Sequence, residues 1–122
     1  MIDALLAEAA RAAPHEACGL LLGRSPIAAI RPTANVAADP AHRFEIDPAE
    51  LIAAYKAERA GGPALAGFYH SHPSGLALPS PTDRLNAGGD GRIWAIVGSG
   101  EVRFWRDCAE GFVALSSVPA DG

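Results

Sequence analysis

Cysteine is scarce in this sequence and poorly placed for metal work. Its two cysteines, Cys18 and Cys108, have no metal-ligand spacing and could form at most one bridge. Basic residues are also few, ten Lys plus Arg against fourteen Asp plus Glu, for a net charge of −4. With no basic cluster to offset that balance, nucleic acid and anionic membrane are poor partners. Long apolar runs are missing too. The opening MIDALLAEAARAAP carries acids early and reads as neither a signal peptide nor a membrane span. The expectation is a cytoplasmic protein with both thiols reduced.

What is present is ordinary globular material. Hydrophobic residues make up 49% and charged residues 20% of 122 residues, which suits one domain over 1–122. A chain of this length buries roughly two thirds of its unfolded surface and needs no staples.

The punctuation predicts a mixed α/β domain, a single β-sheet flanked by helices. Ile2, Leu5, Leu6, Ala9 and Ala13 recur at helical spacing until Pro14 stops them. Cys18 to Gly23 is a short apolar run bounded by glycines, read as a buried strand. A turn at Ser25-Pro26 leads to a second strand over Ile27 to Thr33. Arg43 to Ile46 alternates as a further strand. Asp47-Pro48-Ala49-Glu50 then opens a helix with an N-cap acid and an early proline, which runs to the stop at Gly61-Gly62-Pro63. Leu65 to His72 is the next strand, and Ser80-Pro81-Thr82-Asp83 repeats the helix-start grammar. Arg92 to Val97, Val102 to Arg106 and Phe112 to Val118 complete the strands. Gly61-Gly62 and Gly88-Gly89 read as turns.

Two of the four histidines fall within three residues in GFYHSHPSG. On a strand, His70 and His72 project from the same face while Ser71 points away. Two neutral imidazoles side by side offer a bite for a transition metal. Pro73 ends the strand, and the loop brings back a helix whose first turn carries Asp83. His, His and Asp make three ligands with a fourth position free for water, the arrangement of catalytic rather than structural zinc. Such a donor set suits zinc better than magnesium or calcium. Singly, each element has an ordinary reading as a surface histidine or a helix cap; jointly, in this order, they fit one ion.

His70-x-His72-Pro73, followed by Ser80-x-x-Asp83, resembles the signature of the JAMM (MPN-plus) metalloproteases. Glu16-Ala17-Cys18-Gly19-Leu20-Leu21-Leu22-Gly23 is similar to the upstream glutamate and glycine-bounded strand of that family. The resemblance spans nearly the whole chain and implies a cytidine-deaminase-like JAMM/MPN architecture. It further implies one zinc per chain on His70, His72 and Asp83, Glu16 as general base and then acid, and Ser80 as donor to the oxyanion. The implied reaction is hydrolysis after the C-terminal Gly-Gly of a ubiquitin-like protein. Few residues separate Asp83 from the next strand, so the chain resembles the compact bacterial members, whose substrate would be a sulfur carrier. Two alternatives belong beside it: a catalytically silent binding scaffold, and a deubiquitinase-like isopeptidase that needs a partner.

Other zinc patterns fit less well. A metallo-β-lactamase pattern needs an aspartate where Ser74 stands, amidohydrolase sites sit on barrels of about 250 residues, and zinc deaminases need His-x-Glu with a later Pro-Cys-x-x-Cys. His15 and His42 read as surface residues, Cys18 as a buried thiol, and Trp94 and Trp105 as core, ahead of a substrate groove.

Overall fold

Why the apolar run Cys18-Gly-Leu-Leu-Leu is buried at every position becomes clear from its neighbours. In the computed structural model, which describes residues 1–24 and 26–115, it forms β1 (Cys18–Leu22) inside a six-stranded sheet. Helix α1 (Ile2–Ala12) covers one face, and α2 (Pro48–Arg59) covers the other. Leu21 packs with Leu5, Tyr69, Ala95, Val97 and Phe104 on the α1 side. Cys18, Leu20 and Leu22 pack with Ala54, Ile46 and Phe68 on the α2 side. A strand covered on both faces has no solvent side, so its pattern is continuous rather than alternating.

The remaining elements are β2 (Ala29–Thr33), β3 (Leu65–His72), α3 (Pro81–Asn86), β4 (Ile93–Gly98), β5 (Glu101–Cys108) and β6 (Gly111–Ala114). Sheet order is β2-β1-β3-β4-β5-β6. All neighbours are antiparallel except β3 and β4, so the sheet is mixed, as expected. Pro32 lies in β2, an edge strand, where its missing N–H disrupts no central ladder. A parallel pair needs a crossover. The crossover from β3 to β4 contains α3, and this topology returns Asp83 to the end of the strand that carries both histidines. No helix among the described residues is long and apolar enough to cross a membrane.

Helix starts follow the predicted chemistry. The Asp47 carboxylate accepts from the Ala49 amide at 2.9 Å, with Pro48 at the first helical position. Ser80 and Asp83 form a reciprocal capping box.

Several boundaries differ from the sequence reading. The second strand begins at Ala29 rather than Ile27, because Gly23 adopts a positive φ of 113° and the Ala28 amide closes a turn onto the Leu22 carbonyl. Ser25, half of the expected Ser25-Pro26 turn, lies outside the described residues. Arg43 to Ile46 is not a strand; only a single bridge joins Ile46 to Asn35. The Asn35 side chain takes the Arg43 carbonyl and the Glu45 amide, groups that a partner strand would need. The last strand is described to Ala114, and residues 116–118 of the expected segment lie outside the described residues. Trp94 is buried as expected, whereas Trp105 is only half-buried, its indole N–H donating to the Ala77 carbonyl at 3.3 Å.

Gly98 ends β4 directly beneath the loop that follows His72. A Cβ there would lie 2.7 Å from both the Ala77 nitrogen and the Gly75 oxygen, backbone atoms that cannot rotate away. Gly98→Ala should therefore push residues 75–77 outward and cost about 1–3 kcal/mol, the usual range for overpacking. Urea denaturation is the check, and an unchanged midpoint would mean that the loop yields freely.

Candidate metal centre

Register brings the site residues together. β1 pairs with β3 so that Cys18 stands opposite His70. The ladder extends one step further: the Ser71 amide donates to the Ala17 carbonyl at 3.1 Å, and the Ala17 amide donates to the Ser71 hydroxyl at 2.7 Å. Another step in the same register sets Glu16 beside His72, on the α2 face. Glu16 is only 6% exposed, which a solvated loop glutamate would not be.

His70 and Asp83 are buried and His72 nearly so. His70 Nε2 lies 3.0 Å from Asp83 Oδ1, His72 Nε2 lies 3.2 Å from Oδ2, and the two Nε2 atoms are 3.1 Å apart. One donor atom from each of the three residues fits within 4.8 Å of the others, a group that could hold a metal ion. Asp83 is aimed by its cap, because Oδ2 accepts from the Ser80 amide at 2.9 Å while the Ser80 hydroxyl accepts from the Asp83 amide at 3.0 Å.

The protons decide what the cluster needs. His72 Nδ1 lies 2.7 Å from the Leu76 carbonyl, which can only accept. Nδ1 therefore carries the proton, and in neutral His72 the Nε2 lone pair points at a carboxylate. With Nε2 of both rings unprotonated, the lone pairs and the carboxylate repel one another unless a cation lies among them, so the donor set fits a metal. The Leu76 carbonyl is the outer-shell acceptor that a ligating histidine usually has. His70 Nδ1 has no hydrogen-bond partner among the described residues; its ring is held by stacking on Phe44 (centroids 4.4 Å apart, planes at 18°) and by the edge of Trp94.

With no cation bound, protons on the rings meet the same contacts. Burial pushes the Asp83 carboxyl up, but hydrogen bonds from both histidines and the Ser80 amide outweigh it and hold it well below the usual range. Burial lowers His70, only partly opposed by Asp83. For His72 burial acts downward, yet Asp83 and the Leu76 carbonyl prevail and raise it. Burial raises Glu16 to about 7, with His72 opposing and Asp83 adding to the rise. Glu16, His72 and Ser80 line one cleft of about 340 Å³, walled by Ala41, His42 and the loop from Pro73 to Leu78.

The protein-family model described as prokaryotic homologs of the JAB domain matches residues 1–108. The chain belongs to this family. Among curated relatives of this JAB-family chain, a desampylase from Haloferax volcanii is 39% identical over 101 residues, covering 77% of this chain and 73% of that one. A probable TtuB-protein conjugate cleaving protease from Thermus thermophilus is 40% identical over 83 residues, 68% of this chain and 56% of that one. A CysO-cysteine peptidase from Mycobacterium bovis is 32% identical over 68% of this chain and 58% of its own. The alignments thus span little more than half the length of the latter two. A solution structure from Desulfitobacterium hafniense superposes with a TM-score of 0.78 at 30% identity, covering 93% of this chain and 84% of that one. One from Salinibacter ruber gives 0.70 at 29%, covering 98% and 88%. The resemblance read from the motif and the mixed-sheet α/β fold are both borne out.

Of the five expected site residues, Glu16, His72 and Ser80 line the cleft, and the buried His70 and Asp83 contact His72. His15 and His42 are exposed, as expected, though His42 lines the cleft wall and pairs with Asp39 at 3.1 Å. Cys18 is a buried thiol, and both cysteines are free. Sequence reasoning missed Ser71, Phe44 and Asn35. Ser71 was detectable in principle, since a hydroxyl on the far side of a two-histidine strand is placed to bind a neighbouring backbone.

The buried Glu16 carboxyl has a consequence for stability. A carboxyl whose folded pKa is raised from 4.5 to about 7 holds more protons in the folded than in the unfolded chain across that interval. Stability therefore falls as pH rises from 4.5 through 7, by about 3 kcal/mol at most. In chelator-treated protein, Glu16→Gln should raise the melting temperature at pH 8, with the gain fading toward pH 4.5. An equal melting temperature at pH 8 would place Glu16 in water.

Proposed function

We propose that the protein is a zinc-dependent peptidase or isopeptidase that cleaves after the C-terminal Gly-Gly of a ubiquitin-like protein, in particular a sulfur carrier. The observation that carries this reading is the convergence of His70, His72 and Asp83, with His72 lining one cleft together with the buried, high-pKa Glu16. The relatives named for conjugate cleavage support the substrate class.

His70 and His72 would hold zinc through Nε2, and Asp83 through its carboxylate. Zinc bound there supplies a water of lowered pKa, toward about 7, and polarises the scissile carbonyl. Glu16, poised near neutrality, accepts the proton from the attacking water and returns it to the departing amine; this kind of transfer contributes about 10²–10⁴-fold. The Ser80 hydroxyl, which accepts from the Asp83 amide, keeps its own proton free to donate to the developing oxyanion, a contribution of about 10²–10³-fold. His72 cannot act as the base, since Nδ1–H is committed to Leu76 and Nε2 would be taken up by the metal. Leu76 and Leu78 leave apolar side chains exposed along the cleft. A glycine pair lets a substrate backbone pass between them and the Ala41–His42 wall.

Intact-mass analysis of a Gly-Gly sulfur carrier, joined either to a short C-terminal peptide or to a lysine side chain, tests the reading. Product ending at Gly-Gly should form, vanish with chelator and return on adding zinc. Glu16→Gln should lose at least about 10²-fold in turnover while binding one zinc per chain. A protein that binds zinc yet cleaves neither carrier, alone or with cell extract, would be a scaffold instead.

A further inference from the structure

One side chain holds the outer wall of the cleft to the catalytic strand. Asn35 follows β2, at the start of a long connection that ends at Asp47, the cap of α2. Its Nδ2 donates to the carbonyls of Glu16 at 3.0 Å, Arg43 at 3.0 Å and, more weakly, Pro40 at 3.4 Å. Its Oδ1 accepts from the amides of Ala37 at 3.0 Å and Glu45 at 3.1 Å. Both donors and both acceptor lone pairs of the carboxamide are thereby used. Pro40 in turn accepts from the Glu16 amide at 2.7 Å. The backbone on both sides of Glu16 is therefore bound to one loop, and that loop is closed on itself by Asn35.

The loop also reaches the cleft by its side chains. Ala41 and His42 line the cleft opposite His72, and Phe44 stacks on the His70 ring. A shift of this loop would move Glu16 through its backbone and release the face of His70. The proposed metal ligands themselves lie on β3 and α3, which Asn35 does not touch.

We propose that Asn35 is a positioning residue of the active site, fixing the Glu16 backbone and the 36–45 loop that walls the cleft. The inference rests on the peptidase reading for its kinetic consequence but not for its geometry. Because misplacing a reacting group by about 1 Å can cost on the order of 10²-fold, loss of the carboxamide should act on turnover more than on binding.

Two variants separate this from a purely structural role. Asn35→Ala removes every bond. Asn35→Asp keeps the acceptor for Ala37 and Glu45 but loses the donors to Glu16, Pro40 and Arg43, so the loop keeps part of its own closure while its tie to the catalytic strand is broken. Both should lower kcat by about 10–100-fold with KM changed less than about threefold, at a temperature well below melting and with one zinc still bound. Hydrogen exchange gives a reading independent of activity: the Glu16 amide should exchange at least about tenfold faster in both variants, while the amides of His70 and Ile96 do not change. If wild-type protein cleaves no carrier, the peptidase reading fails and the exchange result alone decides the role of Asn35. Unchanged exchange at Glu16, or kcat retained in Asn35→Asp despite a lowered melting temperature, would overturn the proposal. A loss of zinc from the variants would overturn it as well, since the ligands would then depend on Asn35.

Discussion

The site depends on the register of β1 against β3. Cys18 opposite His70 is one pairing among several, yet it alone determines that Glu16 arrives beside His72 and not a residue to either side. A slip of one position would turn every side chain of β1 to the other face, moving Leu21 out of the α1 core and Glu16 away from the histidines. The burial of Leu20, Leu21 and Leu22 on two different faces thus fixes the geometry of the site as well as the fold. Ser71 continues the same constraint one residue before β1 begins, clamping Ala17 with a two-way backbone and hydroxyl contact.

A second constraint follows from the parallel step in an otherwise antiparallel sheet. Antiparallel neighbours can be joined by a tight turn, but β3 and β4 cannot. The crossover this imposes is used fully. Its first loop supplies the Leu76 carbonyl that sets the His72 tautomer, and Ala77 is braced by the Trp105 indole. Its helix opens with a cap whose acid, Asp83, also faces both histidines. The cap and the proposed ligand are one carboxylate with two oxygens, and this is why a helix of only six residues can position a metal ligand firmly.

How legible this was from sequence varies with the range of the interaction. His70, His72, Ser80 and Asp83 stand out because strand alternation and helix capping are local rules that act over a few residues. The buried β1 and the start of α2 were readable for the same reason. Glu16 was reachable only by likeness to a family, since nothing near it in the chain requires burial; its environment is made by β3, more than fifty residues away, and by the 36–45 loop. Asn35 was invisible, because a polar residue in a loop is the commonest of sequence features and its five partners are backbone atoms with no sequence signature. That same side chain turned Arg43–Ile46, an alternating segment, from an expected strand into a loop. Trp105 was misplaced because the half-covered face of β5 is decided by the crossover loop lying on it, not by β5 itself.

The centre also works against the stability of the chain that holds it. Glu16 is buried at a cost, one His70 ring nitrogen has no partner among the described residues, and the buried Asp83 carboxylate faces two imidazoles. None of these would persist on a loosely held surface. They are tolerated because they sit at one end of a sheet covered on both faces, with Leu5, Leu20, Leu21 and Ile96 fully buried behind them. A bound cation would satisfy the carboxylate and both Nε2 atoms together, so metal binding and the integrity of this end of the sheet are coupled. The wall across the cleft is different, since it rests on hydrogen bonds from one carboxamide and on one aromatic stack. Changes there would alter what the cleft admits while leaving the buried sheet, and hence the proposed metal ligands, in place.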